Sequence, residues 1–525
     1  MENIGNIIKK YRMQKKLTQE ELGKALYTTK QTVSKWETGI RLPSIEVLMK
    51  ISSLLDIPVS DIIQKKATDY TGRYVLNAYS DEDLRNKNKT RIGEWRDYKF
   101  GMFIHYGIYS MIGGKGAEWG MFRDAIDIDD YADIAKKFTA EKFSGEYYAK
   151  LAKKVGMKYM VMTSRHHDGF CLFDSKHSYR NFTVMNTECK RDIIKEYVEA
   201  CRKEGLAVGI YYSPMDWRFE GFFFPKMYRK SALAMRAQAH AQIEELVDNY
   251  GKIDIMWYDG GDDYWLAHSI NLNTLNPKRD DESPMNYRKN PPIPEFWGEY
   301  ELDKMVRTKQ PHIVINNRLG MHRVGDYTTP ERVIGAFDPI HPWETCDTLA
   351  DTWGWTPNCP IMSLKDILHL LIDVVTGGGN LLLNVSPKGD GSLEPEHEAR
   401  LLEVGEWMEK YGKFIYGTYG GPMKNDKSFG GFTYKGNSLY LFLKSGAEGV
   451  VKIPLLTGNV KNTVCHTEAT VKTEITDGDL KLLIGGKRAD VADIVELEFD
   501  RPIDEIFADF NYKSFNAFES LQNQQ

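Results

Sequence analysis

The chain has 525 residues, 42% of them hydrophobic and 27% charged, which is typical of a globular protein with more than one domain. Six scattered cysteines without a CxxC motif argue against a disulfide framework and a cysteine zinc site, and predict reduced thiols. No apolar run approaches the roughly 18 residues of a membrane span, and the N-terminus has no leader pattern. We therefore expect a cytoplasmic protein with no membrane partner.

The charge is distributed unevenly along the chain. Residues 1–66 contain 12 Lys and Arg against 7 Asp and Glu, whereas the remaining residues contain 57 against 67. A basic segment joined to an acidic body indicates that only the basic segment contacts nucleic acid.

Residues 1–66 show the pattern of several short helices joined by tight turns. Apolar residues recur at helical spacing from Ile4 to Tyr11, and further helices are predicted over 17–26, 28–37 and 44–55. Thr18 and Glu21 form the sequence pattern of a capping box. The stretches LTQEELGKAL, TTKQTVSKWETG and RLPSIEVLMKISSLLDI resemble the Cro/C1-type helix-turn-helix domain, so the fold class of this head is all-α.

This resemblance implies that the segment Lys30–Trp36 is a DNA recognition helix. The residues that would face bases and phosphates are Lys30, Gln31, Thr32, Ser34 and Lys35. Domains of this kind usually bind DNA as dimers, so a homo-oligomer is expected. The alternative is a helical bundle that serves only assembly or protein contact. Residues 67–93 are polar and charge-mixed, and we interpret them as a linker.

Residues 94–415 alternate short β-rich runs with helical runs, which predicts a (β/α)8-like barrel with one or two strands unrecognised. Predicted strands cover 100–106, 159–164, 207–213, 253–259, 312–318 and 380–385. Polar residues collect where these strands end: His105, His166-His167-Asp168, Tyr211-Tyr212, Trp257 with Asp259, and Asn316-Asn317-Arg318. Asp259 precedes two glycines and by itself is more typical of a turn. Five polar strand ends instead indicate the catalytic mouth of a barrel.

The stretches FGMFIHYGIYS, KYMVMTSRHHDGF, GIYYSPMDW, DIMWYDGG, PWETCDTLADTWGW and GGGNLLLNVSPKGDG resemble the α-L-fucosidase family. The resemblance implies a retaining exo-glycosidase on an irregular barrel followed by a β-sandwich. It makes Asp259 the nucleophile and leaves Glu331 and Glu344 as alternative acid/base residues. The implied sugar-binding residues are His105, Glu118, Trp119, His166, His167, Trp257 and Arg318, to which we add Tyr212.

The expected chemistry needs two carboxyl groups about 5–5.5 Å apart, one to attack the anomeric carbon and one to protonate the leaving oxygen. Arg318 and the histidines should lower the pKa of the nucleophile, whereas burial should raise that of the acid. The His166-His167-Asp168 run also suggests metal ligands, but adjacent residues on a strand point to opposite faces. We therefore expect neither a metal nor a cofactor.

Residues 416–525 contain short alternating runs separated by turns, which predicts an antiparallel β-sandwich. It is either an accessory carbohydrate-binding module or a domain that packs against the barrel; the lack of an evident exposed aromatic cluster favours packing. The predicted function is hydrolysis of α-L-fucosyl linkages in a fucosylated oligosaccharide or glycoconjugate, in a chain that also binds DNA. The alternative is a transcription regulator whose barrel only senses a sugar.

Overall fold

The structure is a computed structural model that describes residues 4–26, 28–38, 51, 54–55, 91–266, 295–320, 323–446, 450–455, 457–476 and 478–508. The chain divides into two compact units, Met1–Ser80 and Asp81–Gln525. Among the described residues, no helix is long and apolar enough to cross a membrane.

The first unit contains three described helices, Ile4–Gln14, Gln19–Ala25 and Lys30–Glu37. The Thr18 side chain accepts a hydrogen bond from the backbone of Glu21, whose carboxylate accepts one in return, so the predicted capping box is confirmed. Arg12 donates to the buried Glu37 carboxylate at 3.0 Å and joins the first helix to the third. Most of the helix predicted over 44–55 lies outside the described residues.

The second unit is built on seven parallel strands: β1 Phe100–Ile104, β2 Tyr159–Arg165, β3 Ala207–Tyr212, β4 Ile255–Tyr258, β5 Val314–Ile315, β6 Glu344–Thr348 and β7 Asn380–Val385. They form one sheet in the order β5-β4-β3-β2-β1-β7-β6. Every residue of β1, β2, β4 and β7 is buried, as expected for a parallel sheet covered by helices. The predicted irregular barrel is confirmed, and β6 is a strand that the sequence pattern did not reveal.

An irregular segment, residues 327–331, bridges the two ends of this sheet. Parallel bridges pair Asn316 with Tyr327 next to β5, and Thr328 with Trp343 next to β6. A third parallel bridge joins Glu331 to Cys346 of β6. The segment therefore occupies the eighth position of the ring. It contains Pro330, which lacks an N–H group and cannot complete a regular ladder.

Helices cover the barrel strands. The longer ones are Arg91–Tyr98, Ile128–Lys136, Gly145–Val155, Ile193–Glu204, Arg229–Asn249, Glu299–Lys309, Leu364–Thr376 and Pro395–Tyr411. Short helical turns are Tyr109–Ile112, Ala117–Trp119, Gly120–Arg123, Tyr179–Asn181, Val184–Asn186, Glu220–Phe223, Asp263–Trp265, Gly412–Phe414 and Ile503–Ile506. Side chains of Ser144, Asp192 and Ser363 cap three of the longer helices at their N-termini.

The last part of the chain forms two antiparallel sheets. Their strands are Tyr419–Gly420, Gly430–Lys435, Ser438–Lys444, Val450–Pro454, Val460–Cys465, Ala469–Thr476, Asp479–Gly486 and Ala492–Phe499. Five strands form one sheet and three form the other. Leu441 and Leu497 of the larger sheet share an apolar core with Ile453 and Leu482 of the smaller one. The predicted antiparallel β-sandwich is therefore confirmed.

Candidate active site

Asp259 lies directly after β4, and a side chain fixes the backbone just before it. The Asn316 side chain accepts from the N–H of Tyr258 and donates to the Tyr258 carbonyl, both at 2.9 Å, as the backbone of a neighbouring strand would. Gly260 follows with φ of +66°, and a Cβ at this position would clash with the Met215 side chain. The sharp turn after β4 is thereby fixed, and it presents the Asp259 carboxylate at the mouth of the barrel.

Three side chains surround the Asp259 carboxylate, whose exposed fraction is 22%. Tyr211 donates its hydroxyl to Oδ2 at 2.9 Å, and Arg318 donates Nη1–H to Oδ1 at 3.1 Å. His167 Nε2 lies 3.7 Å from Oδ2. Burial by itself would raise the pKa of Asp259, but the charge of Arg318, with His167 and the Tyr211 hydrogen bond, lowers it below its ordinary value. Asp259 is therefore an ionised carboxylate.

Arg318 joins Asp259 to a second carboxylate. Its Nη1 atom also donates to Glu331 Oε2 at 2.7 Å, so one nitrogen contacts both acids. Its Nε atom donates to the Thr329 hydroxyl at 2.8 Å, and Nη2 donates to the Thr329 carbonyl at 3.0 Å and to Cys346 Sγ at 3.7 Å. The two carboxylate oxygens cannot be further apart than the sum of their distances to the shared nitrogen. The two carboxyl groups are therefore close neighbours, an arrangement compatible with the separation of about 5–5.5 Å expected above.

Glu331 belongs to the irregular segment that completes the ring, and 43% of its side chain is exposed. Its Oε1 atom accepts from the indole Nε1 of Trp353 at 3.2 Å. The carboxylate thus has a donor on each oxygen and an open side toward solvent. A group in this position can exchange a proton with a leaving oxygen or with water.

Glu344 lies at the other end of the barrel, because it is the first residue of β6. It is completely buried, and its oxygens accept from Trp257 Nε1 at 3.0 Å and from the Tyr159 hydroxyl at 2.5 Å. Burial raises the pKa of Glu344 to about 7, although both hydrogen bonds and the charge of Arg318 oppose this shift. The structure therefore separates the two acid/base candidates, and only Glu331 lies beside Asp259.

Three histidines line the same mouth. His105 Nδ1 lies 2.8 Å from Asn384 Oδ1, and the Asn384 amide nitrogen donates to the Trp353 carbonyl. The Asn384 oxygen therefore accepts from His105, which leaves the His105 Nε2 lone pair available. Burial lowers the pKa of His105 to about 4, and it lowers that of His166 well below its ordinary value. Both rings are neutral, and the buried Nδ1 of His166 has no partner among the described atoms.

The expectation that His166 and His167 point to opposite faces is wrong. Strand β2 ends at Arg165, so both residues lie in the loop that follows, and their ring centroids are 4.1 Å apart. His166 stacks on Tyr211, whereas His167 Nδ1 lies 2.6 Å from the Ser213 hydroxyl. Within the described ranges, no group of three or more His, Cys, Asp or Glu side chains has an arrangement that could hold a metal ion.

Glu118 and Trp119 lie on a short helical turn beside the histidines. The Glu118 carboxylate is buried and accepts from the backbone N–H of Gly354 at 2.9 Å. Burial raises its pKa. The Trp119 ring contacts His167 and Trp217 at centroid distances of 5.3 and 5.0 Å. Because Trp119 is only half-buried, it offers an apolar surface beside the polar cluster.

Tyr212 lies apart from this cluster, and its neighbour Tyr211 takes the place that we expected for it. The Tyr212 hydroxyl donates to Gln242 on the helix Arg229–Asn249 at 2.8 Å. Successive residues of a strand point to opposite faces, so only one of the two tyrosines can reach the barrel interior. The sequence prediction also missed Trp353, Asn384 and Ser213, which contact Glu331, His105 and His167. All three carried a signal, since Ser213 lies within the GIYYSPMDW motif, Trp353 within PWETCDTLADTWGW and Asn384 within GGGNLLLNVSPKGDG.

The first unit presents a separate polar surface on its third helix. Lys30, Gln31 and Lys35 are exposed, and Thr32 and Ser34 are half-buried. Val33 and Trp36 of the same helix are buried in the small apolar core of this unit. The five residues predicted to contact DNA therefore lie on a helix whose opposite side is anchored.

Comparisons with known proteins agree with both parts of the chain. A family model described as Alpha-L-fucosidase matches residues 73–413, and a Helix-turn-helix model matches residues 8–62. The human tissue alpha-L-fucosidase is 28% identical over 415 residues, covering 74% of this chain and 83% of its own. Among solved structures, alpha-L-fucosidase isoenzyme 1 from Paenibacillus thiaminolyticus is 30% identical with a TM-score of 0.65, covering 79% of this chain and all of its own.

A second solved structure is an alpha-L-fucosidase from Bacteroides thetaiotaomicron, trapped as a covalent intermediate in complex with 2-fluoro-fucosyl fluoride. It is 25% identical, has a TM-score of 0.66, and covers 78% of this chain and 96% of its own. The family model spans well over half of the chain and includes the barrel strands and the residues around Asp259. This chain therefore belongs to the α-L-fucosidase family and is a glycoside hydrolase.

Proposed function

We propose that the barrel hydrolyses terminal α-L-fucosyl linkages with retention of configuration. The observation that carries this proposal is the contact of one Arg318 nitrogen with both Asp259 and Glu331. Asp259 attacks the anomeric carbon while Glu331 gives a proton to the leaving oxygen. Glu331 then takes a proton from the water that displaces Asp259.

The charges around the two carboxylates suit these different roles. Arg318 and the Tyr211 hydroxyl keep Asp259 ionised, as a nucleophile requires. When Asp259 forms the glycosyl ester it loses its charge, and Arg318 then has Glu331 as its remaining carboxylate. Glu344 is unsuited to either role because it is buried at the start of β6, at the end of the barrel opposite Asp259.

The residues around Asp259 suit an uncharged sugar. His105 and His166 are neutral, so they can hydrogen-bond sugar hydroxyls without adding charge to the site. Trp257 and Trp119 supply the flat apolar surfaces that a deoxysugar methyl group needs. The substrate is thus a fucosylated oligosaccharide or glycoconjugate. The trapped intermediate of the Bacteroides relative supports a covalent route.

The test is hydrolysis of an aryl α-L-fucoside followed by NMR during the first turnovers. The expected first product is α-L-fucose, and incubation with 2-fluoro-fucosyl fluoride should release the anomeric fluoride and add one 2-fluoro-fucosyl group to the peptide that contains Asp259. First formation of β-L-fucose, or unchanged turnover after Asp259→Ala, would contradict the proposal.

We also propose that the first unit binds DNA through Lys30, Gln31, Thr32, Ser34 and Lys35. Its support is the exposed polar side of the third helix and the helix-turn-helix match over residues 8–62. Fluorescence anisotropy of the full chain with duplexes selected from its source genome should detect binding that weakens as salt rises. The Lys30→Ala and Lys35→Ala variants should weaken it further, with fucoside hydrolysis as the check on folding. Failure to bind any duplex at low salt would refute this role.

The main rival is a regulator whose barrel senses a sugar without cleaving it. A sensing site has no need for two carboxylates on one guanidinium, and this arrangement favours the enzyme. Fucose-dependent DNA binding with no turnover of any fucoside would instead support the regulator. A homodimer is expected from the head, and light scattering of the purified chain tests that expectation.

A further inference from the structure

Glu344 is a buried carboxylate that the proposed hydrolysis does not use. It accepts from Trp257 Nε1 of β4 at 3.0 Å and from the Tyr159 hydroxyl of β2 at 2.5 Å. These contacts tie β2, β4 and β6 together across the barrel interior. Among the described residues, no cationic side chain lies within salt-bridge distance of Glu344, and burial of a carboxyl group without such a partner is costly.

Trp257 connects Glu344 to the mouth of the barrel. The Arg318 guanidinium lies over the Trp257 ring at 4.7 Å, and the Tyr211 ring stacks on it at 5.6 Å with an interplanar angle of 19°. Arg318 and Tyr211 are the two residues that donate hydrogen bonds to Asp259. One indole ring therefore separates Glu344 from both donors to the nucleophile.

We propose that Glu344 is a positioning residue that fixes the Trp257 indole, and through it the Arg318 and Tyr211 donors to Asp259. The proposal rests on the hydrolytic function proposed above. Glu344 touches no substrate in this role. Its contribution is to orient the Trp257 ring, against which Arg318 and Tyr211 pack as they donate to Asp259.

The hydrogen-bonding pattern defines what this position needs. The Trp257 indole can only donate, so its partner must present an acceptor. The Tyr159 hydroxyl donates to the second oxygen, and it has an alternative acceptor in the Leu381 carbonyl at 3.5 Å. A glutamine fits the same site, because its amide oxygen accepts from Trp257 and its amide nitrogen donates to Tyr159. The shape and the acceptor are thus required, whereas the charge is not.

The ionisable groups near Glu344 agree with a role that does not depend on charge. Tyr159 and Tyr327 both have pKa values raised well above normal by burial, with a further contribution from Glu344. The pKa of Cys346 is also raised by burial, with a contribution from Glu344, and the charge of Arg318 lowers the pKa of Glu344. A protonated Glu344 donates to Tyr159 and still accepts from Trp257, so either protonation state holds the indole.

The experiment compares Glu344→Gln and Glu344→Ala with Glu331→Gln on aryl α-L-fucosides that have good and poor leaving groups. We expect Glu344→Gln to keep kcat/KM within about threefold of the wild type. Glu344→Ala should lower it by about 100-fold for both substrates, the effect of a displaced catalytic group. Glu331→Gln, the matched control, should lose the substrate with the poor leaving group selectively, since that substrate needs protonation.

A double-mutant cycle tests whether Glu344 acts through Trp257. Trp257→Phe keeps an aromatic ring but loses the indole N–H, and it should weaken kcat/KM at least as much as Glu344→Ala, because the Trp257 ring also faces the sugar. Combining the two changes should add little, because both remove the same contact. Calorimetric binding of L-fucose gives a readout that needs no turnover, and it should weaken in Glu344→Ala and Trp257→Phe but not in Glu344→Gln.

Two results would overturn the proposal. Glu344 is the acid/base if Glu344→Gln, like Glu331→Gln, selectively loses activity on the substrate with the poor leaving group, and if azide restores turnover to Glu344→Ala. If the effects of Glu344→Ala and Trp257→Phe are additive, Glu344 does not act through the indole. Failure of the wild type on every fucoside refutes the hydrolytic function alone, since the L-fucose binding series still tests Glu344. If Glu344→Ala does not fold, Glu344→Gln and Trp257→Phe carry the test.

Discussion

Asp259 lies at the carboxyl end of the barrel strands and Glu344 at the amino end, with the Trp257 ring between them. Burial pushes the pKa of both carboxyl groups upward. At Asp259 the charge of Arg318, with His167 and the Tyr211 hydrogen bond, reverses this shift, whereas Glu344 has only an indole N–H and a phenol as donors. Hydrogen bonds from two neutral donors are therefore too weak to offset burial at Glu344, and the guanidinium is the largest opposing contribution at Asp259.

The largest effect should come from removing the ionised carboxylate at the mouth. Asp259→Asn keeps the size of the side chain but removes the nucleophile, and we expect kcat to fall by about 10³-fold or more. Steady-state hydrolysis of an aryl α-L-fucoside measures this change. The same substitution at the other carboxylate, Glu344→Gln, should cost no more than about threefold, and equal losses would contradict the contrast between the two ends.

Removal of the Arg318 guanidinium should give Asp259 a raised pKa, as Glu344 has. In Arg318→Met, burial acts without opposition from the guanidinium, so the pKa of Asp259 should rise. Because the nucleophile must be ionised, the acidic limb of the kcat/KM profile should move to higher pH. The pH profile of residual activity measures this shift. An acidic limb that stays in place would show that Arg318 does not set the charge of Asp259.

The stability of the protein should depend on pH through the raised pKa of the buried Glu344. Its pKa is about 7 in the folded protein against an ordinary value of 4.5, so the folded chain binds the proton more tightly. This contribution favours folding at low pH and is lost as pH rises through about 7, by up to about 3 kcal/mol. The melting temperature of Glu344→Gln minus that of the wild type should therefore be larger at pH 8 than at pH 5. A pH-independent difference in melting temperature would contradict the raised pKa.

A smaller effect than that of Trp257→Phe should come from the second indole that donates to a carboxylate. Trp353 reaches the half-exposed Glu331 at 3.2 Å, whereas Trp257 reaches the buried Glu344 at 3.0 Å. Water can replace the donor at Glu331, so Trp353→Phe should lower kcat/KM by only about 3- to 10-fold. Comparison with Trp257→Phe on the same substrate measures the difference. A larger loss in Trp353→Phe would reverse the ranking.

The elements that the sequence predicted correctly have strong local signals. The capping box at Thr18 and the apolar runs of β2 and β7 are such elements. Strand β6 was missed because Glu344-Thr-Cys-Asp-Thr348 is largely polar, yet all five of its residues are buried. The segment 327–331 was missed because isolated bridges, with a proline among them, leave no periodic pattern.

By itself, the sequence determined that a helix-turn-helix head precedes an α-L-fucosidase barrel and a β-sandwich, and it singled out Asp259 at a strand end. Only the tertiary structure separated Glu331 from Glu344 and Tyr211 from Tyr212. The reason is geometric. Thirteen positions along the chain divide the two glutamates, but the ring closure places one beside Arg318 while the start of β6 places the other beneath Trp257. Such distances arise from the pairing of strands remote in sequence, which no local pattern encodes.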